Sequence, residues 1–149
     1  MLYTPLTKQA LTLAYHAHQG QLDPTGLPYI FHPYHLAEQM TDELSCCVAL
    51  LHDVVEDTSV SFADFAPLFP PSVLEALRLL THEKGTDYLD YIRALGQNPL
   101  ARTVKLADLE HNMDLSRFAG QPIPEKLAQK QVLYQTAKAI LTAMAEEEK

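Results

Sequence analysis

Residues 49–58 read ALLHDVVEDT and pack one imidazole and three carboxylates into a short stretch. On a helix turning about 100° per residue, His52, Asp53, Glu56 and Asp57 share one arc of roughly 140°, and Leu50, Leu51, Val54 and Val55 fill the other side. Carboxylates crowded in this way repel one another. A histidine beside them under an apolar flank makes chemical sense chiefly when a cation neutralises the group; the bland reading is a helix end carrying a few solvated acids. His52 and Asp53 supply only two ligands, so any others come from elsewhere in the chain. His32 stands where a long loop meets a helix opened by Pro33, a place from which it can face inward. The stretch KLADLEHN, 105–112, sets Asp108 and Asn112 on one helical face with Lys105 a turn before, while Leu106, Leu109 and Met113 form an apolar stripe. On residue types alone, a capping or core role for His32 and a surface ion-pair ladder for 105–112 stand beside ligation.

Proline marks where the supporting helices begin. Thr4-Pro5, Asn98-Pro99 and Ile123-Pro124 each precede a run of helical period, and in the first two a capping side chain precedes a proline at the first helical position. Periodicity predicts eight helices, near 5–19, 33–40, 42–56, 62–67, 71–81, 87–96, 99–114 and 124–146. The expected class is all-α, with at most a short strand pair in the loop 20–31. That loop, Gly20 to His32, ends in Tyr29-Ile30-Phe31, which should anchor it to the core beside a site. Thr81 to Gly85 reads as a glycine-stopped helix end that could line a pocket. Tyr88 and Tyr91 read as packing, His16 and His18 as exposed or as partners of a helix dipole, and His35 as surface. His111 reads as a pocket residue or one just behind it.

At 149 residues, with 47% hydrophobic and 20% charged residues, the chain is expected to form one globular domain, 1–149. Its net charge of −8 argues against nucleic acid or an anionic membrane as partner, and requires an ion or a few local cations to reverse the sign for any phosphorylated substrate. Adjacent Cys46 and Cys47 read as buried free thiols. With no leader pattern and no apolar run of membrane-spanning length, a cytoplasmic location is expected. Nothing in the sequence sets the oligomeric state.

The order His32, then His52-Asp53, then Asp108 resembles the H…HD…D pattern of HD-domain metal-dependent phosphohydrolases. TGLPYIFHP (25–33), LLHDVVEDT (50–58) and VKLADLEHNM (104–113) are similar to blocks of the RelA/SpoT-type (p)ppGpp hydrolase domain and the small alarmone hydrolases. The resemblance spans about Thr7 to Arg117. It implies an HD-domain helical bundle that binds one Mn²⁺, or another divalent ion such as zinc, iron or nickel, and removes the 3′-pyrophosphate from (p)ppGpp. Carried over by position, His32, His52, Asp53 and Asp108 are the implied metal ligands, with Glu56 and Asp57 beside the ion acting on the attacking water. Asn112 is the implied ribose contact. Tyr29, Lys84, Lys105 and Arg117 complete the expected substrate-binding set. Where the alarmone hydrolases carry a basic pair before the Pro-Tyr-Ile block, this chain reads Gln21-Leu22-Asp23-Pro24. A hydrolase of a different nucleotide or phosphoester, or a non-catalytic metal-stabilised nucleotide-binding module, are the alternatives; Glu56 and Asp57 have a purpose only in an enzyme.

Overall fold

The computed structural model describes residues 1–149 as an all-α bundle. Helix α1 (Pro5–Ala17) starts as its sequence requires. Thr4 accepts from the Thr7 backbone N–H at 3.1 Å, the Thr4 N–H donates to Thr7 Oγ1 at 2.8 Å, and Pro5 occupies a position where a missing N–H costs nothing. The loop 18–30 closes through a single antiparallel bridge, Leu22 with Pro28. Helix α2 (Phe31–Glu38) follows at once, two residues earlier than periodicity predicts. Tyr29 and Ile30 are half-buried as expected of an anchor, but Phe31 is exposed, because it opens α2 on the outer side.

Helix α3 (Glu43–Leu51) is the axis of the bundle: Ser45 to Leu51 are all buried, between α1 and α2 on one side and later helices on the other. A side chain buried all round needs neighbours all round. The expected single helix 42–56 is interrupted here. His52 Nδ1 takes the Ala49 carbonyl at 2.6 Å, the acceptor that the Asp53 N–H would claim in a continuing helix, and Asp53 leaves helical geometry at φ −104°, ψ 0°. A one-turn helix α4 (Val54–Asp57) resumes and ends where the Thr58 hydroxyl bonds the Val54 carbonyl at 2.6 Å.

Helix α5 (Phe62–Phe65) with a following 3₁₀ turn (Ala66–Leu68), α6 (Pro71–Leu80) and α7 (Tyr88–Leu95) carry the chain round the bundle. Helix α8 (Pro99–Met113), capped by Asn98 through the Ala101 N–H at 2.9 Å, packs against α2, α3 and α6. A 3₁₀ turn (Leu115–Phe118) that periodicity does not predict reverses the chain through Ala119 (φ 50°) and Gly120 (φ 84°). Helix α9 (Glu125–Glu147) lies on α7 and α8 with only Ala137 and Leu141 fully buried. It presses on the end of α7 closely enough that a Cβ at Gly96 would sit 2.6 Å from Met144 Sδ. Arg102 braces the same end, donating to the Gly96 carbonyl at 2.8 Å and pairing with Glu148. One contiguous cluster of 26 buried apolar residues runs through these helices, Cys46 and Cys47 among them as free thiols. Burial pushes the Cys47 thiol up to about 12, so it stays protonated and inert. No helix is long and apolar enough to cross a membrane.

Candidate metal centre and pocket

Three elements bring the four expected ligands together: the start of α2 gives His32, the break between α3 and α4 gives His52 and Asp53, and α8 gives Asp108. One donor atom from each lies within 4.8 Å of the others. His32 Nε2 stands 2.9 Å from Asp108 Oδ1 and 3.7 Å from Asp53 Oδ2; His52 Nε2 stands 2.9 Å from Asp53 Oδ2 and 3.5 Å from Asp108 Oδ1. His52 and Asp53, adjacent at the break, both reach this point.

The donor chemistry fits a divalent cation. A backbone carbonyl only accepts, so His52 Nδ1 carries its proton toward Ala49, which leaves Nε2, 2.9 Å from Asp53 Oδ2, as the nitrogen that could ligate an ion. Two imidazoles and two carboxylates make a mixed N,O set suited to first-row divalent ions. The electrostatics agree. Burial opposes a charge on His52, yet Asp53 and Asp108 raise it well above the usual imidazole range, and the field that draws a proton there draws a cation too.

The groups around the ligands are themselves fixed. Tyr29 donates to Asp53 Oδ2 at 2.5 Å, and burial together with the Asp53 charge keeps its phenol protonated. Beneath Tyr29, with ring centroids 4.8 Å apart, lies His18, tied to Gln21 Oε1 at 2.8 Å. His18 is therefore buried, not exposed: the loop 18–30 folds back over it. Asp108 divides its oxygens, Oδ1 facing His32 and accepting from Asn112 Nδ2 at 3.1 Å, Oδ2 accepting from Lys105 Nζ at 2.9 Å. Burial opposes the charge of Lys105, but Asp108 holds it ionised, and the ammonium lies 5.4 Å from the Tyr91 ring centroid. Tyr91 in turn donates to the Leu80 carbonyl at 2.5 Å, the packing role expected of it.

Glu56 and Asp57 form a second acidic group with Asp53, their carboxylate oxygens also within 4.8 Å of one another. Glu56 Oε1 accepts from the His82 N–H at 2.6 Å, which ties α4 to the turn after α6. Protein crowding around its carboxyl and the charges of Asp53 and Glu56 push Asp57 up to about 6.

A cavity of about 290 Å³ opens against His32, Tyr29 and Asn112. Three cations line it as well, Arg117 from the 3₁₀ turn after α8 and Lys126 and Lys130 one turn apart on α9, together with Tyr134 and the Asp23 carboxylate.

No family model matches the chain. The chain is 36% identical over 134 residues to the bifunctional (p)ppGpp synthase/hydrolase SpoT of Escherichia coli, covering 80% of this chain and 19% of the relative. It is 35% identical over 109 residues to the guanosine-3′,5′-bis(diphosphate) 3′-pyrophosphohydrolase MESH1 of Drosophila melanogaster, covering 66% of this chain and 61% of that one. A solved structure described as a metazoan ortholog of SpoT that hydrolyses ppGpp superposes with a TM-score of 0.66 at 27% identity, over 99% of this chain and 98% of that one. The chain belongs to the RelA/SpoT-type HD-domain family. It spans about a fifth of the length of the bacterial relative.

Within that family frame, two expected substrate contacts lie away from the cavity. Lys105 is spent on Asp108, because a buried ammonium is held by the nearest buried carboxylate. Lys84 stands exposed in the turn before Gly85, and its side chain makes no bond to the site. Asp23 serves two ends. Its Oδ1 accepts from the Thr25 N–H, Thr25 hydroxyl and Leu27 N–H at 2.8, 2.6 and 3.1 Å, shaping the turn, while Oδ2 faces Arg117 at 3.5 Å in the cavity wall. Lys126, Lys130 and Tyr134 escape the sequence reading altogether. Their spacing of four was visible, but a solvated helix carries the same signal.

Proposed function

We propose that this chain is a metal-dependent pyrophosphohydrolase that takes Mn²⁺ as its ion and removes the 3′-pyrophosphate from (p)ppGpp or a closely related nucleotide. The observation that carries the reading is the convergence of His32, His52, Asp53 and Asp108, with His32 lining a cavity that Arg117, Lys126 and Lys130 also line. The names of the SpoT and MESH1 relatives supply the substrate class.

When bound, a divalent ion would polarise a phosphoryl oxygen and make water more acidic. The protein's own groups have separate tasks. Asp57, near 6, accepts the proton of the attacking water, and Glu56, held by the His82 N–H, orients that water. Tyr29 stays a donor and fixes Asp53, while Asn112 spans from Asp108 to the cavity, where a ribose hydroxyl can meet it. On a chain of net charge −8, Arg117, Lys126 and Lys130 reverse the local sign and receive the remaining phosphates.

A hydrolysis screen of the metal-loaded protein against a nucleotide panel tests this, with release of pyrophosphate from ppGpp as the expected result. Elemental analysis of His52→Ala and Asp108→Ala should find the ion lost. Turnover of nothing on the panel would favour a nucleotide-binding module instead. A second reading, hydrolysis of a different nucleotide, draws on Asp23 standing where the alarmone hydrolases carry a basic pair. A kcat/KM for ppGpp of about 10⁵ M⁻¹s⁻¹ or more, inside the ordinary enzyme range, would remove it.

A further inference from the structure

His111 lies behind His32, outside the ligand set. Its Nδ1 is 2.7 Å from His32 Nδ1, the rings are nearly parallel at 9° with centroids 4.9 Å apart, and His35 stacks on its outer face at 4.3 Å. Two nitrogens at that distance share one proton. Which of them carries it follows from the other end of His32, where Nε2 faces Asp53 and Asp108 among the ligands. A neutral imidazole that offers Nε2 to a cation carries its proton on Nδ1, so His32 is the donor and His111 Nδ1 the acceptor. His52 is held the same way, by the Ala49 carbonyl at 2.6 Å.

We infer that His111 is a positioning residue which locks His32 into its Nδ1–H tautomer and thereby sets the affinity of the centre for its divalent ion. The inference rests on the metal-centre reading of the proposed function. Partners behind a metal-bound histidine fix both ring orientation and basicity, and their loss typically costs about 10–100-fold in metal affinity. The two histidines are therefore locked by different means. A carbonyl has no alternative to accepting, whereas an imidazole acceptor can be replaced or protonated.

Three variants separate the hydrogen bond from the packing. His111→Ala removes both, His111→Phe keeps a ring between His32 and His35 without an acceptor, and His111→Asn places an amide oxygen near the Nδ1 position. Mn²⁺ dissociation constants, measured by titration of the metal-free proteins, should rise about 10–100-fold for Ala and Phe and return most of the way to wild type for Asn. Nitrogen-15 NMR of wild type loaded with diamagnetic Zn²⁺ should show His32 protonated at Nδ1, with Nε2 given to the ion. Wild-type affinity in the Phe variant, or equal loss in Asn and Ala, would overturn the inference, as would a His32 Nδ1 without a proton in the zinc-loaded form. His52→Ala is the control. If it binds Mn²⁺ as wild type does, the metal centre itself is wrong and the role of His111 falls with it; if it loses the ion while all three His111 variants keep it, only the positioning role fails.

Discussion

Replacing Lys105 with methionine separates a substrate contact from a structural ion pair. The Lys105 side chain is 13% exposed and that of Asp108 6%, so the pair is shielded from solvent. Deleting one partner of a buried pair costs about 3–5 kcal/mol, because the other charge is left without compensation. Asp108 still accepts from Asn112 at 3.1 Å and faces His32 at 2.9 Å, and methionine fills most of the vacated volume between Tyr88 and Tyr91. These remaining partners place the loss at the lower end, about 3 kcal/mol in the metal-free protein, or roughly 6–12 °C in Tm for a chain of this size. Thermal unfolding of metal-free wild type and Lys105→Met should show that drop. Metal affinity should fall with it, since Asp108 loses the contact that turns its Oδ1 toward the histidines. Unchanged Tm and unchanged metal content, together with a KM for ppGpp raised tenfold or more, would refute the argument and return Lys105 to the substrate.

Asp57→Asn should retain the ion by elemental analysis and lose at least about 10²-fold in kcat, the usual scale for a removed general base; full turnover in this variant would end that role. A Lys126→Ala, Lys130→Ala double variant should raise KM for ppGpp and flatten its salt dependence with metal content unchanged, and an unaltered KM would show these lysines to be idle. Burial opposes ionisation of Asp23, but bonds from Thr25 and Leu27 and the Arg117 charge hold its carboxyl below the usual range. A carboxyl lowered by folding stabilises above its unfolded pKa and loses that contribution as pH falls through its folded one. Denaturant titrations should therefore show Asp23→Asn less stable than wild type at pH 7, with the gap closing below about pH 4. A pH-independent gap would mean that the turn does not need the charge.

Much of the scaffold was legible because its signals are local. Thr4-Pro5 and Asn98-Pro99 carry a cap and a preset dihedral in adjacent residues, and both helices begin there. The spacing of His32, His52-Asp53, Asp108 and Asn112 was equally open to view. What the pattern hid depends on contacts far along the chain. The break at His52 comes from a side chain taking a backbone acceptor, which periodicity does not record. His18 looks like any histidine at a helix end until the loop closes over it. Lys105 and Lys84 have the same side chain and different fates, decided by the carboxylate that α8 carries one turn beyond the first of them. Phe31, apolar and exposed, shows the opposite failure, since an aromatic beside a site reads as anchor when it is the first turn of a helix.

The ligands are also spread along the chain in a way that orders events in time. His32 precedes His52 by 20 residues, and Asp108 follows Asp53 by 55. Until α8 has been synthesised and has docked on α3, the set of His32, His52 and Asp53 lacks Asp108, the carboxylate that both histidines face. Burial of α3 between α1 and α2 involves only the first third of the chain and needs no cation. Loading is thus a late event that follows long-range closure, unlike small zinc modules in which the ion drives folding. For this chain, the rate at which it becomes metal-competent measures how fast residues 99–113 find their place on a core already assembled.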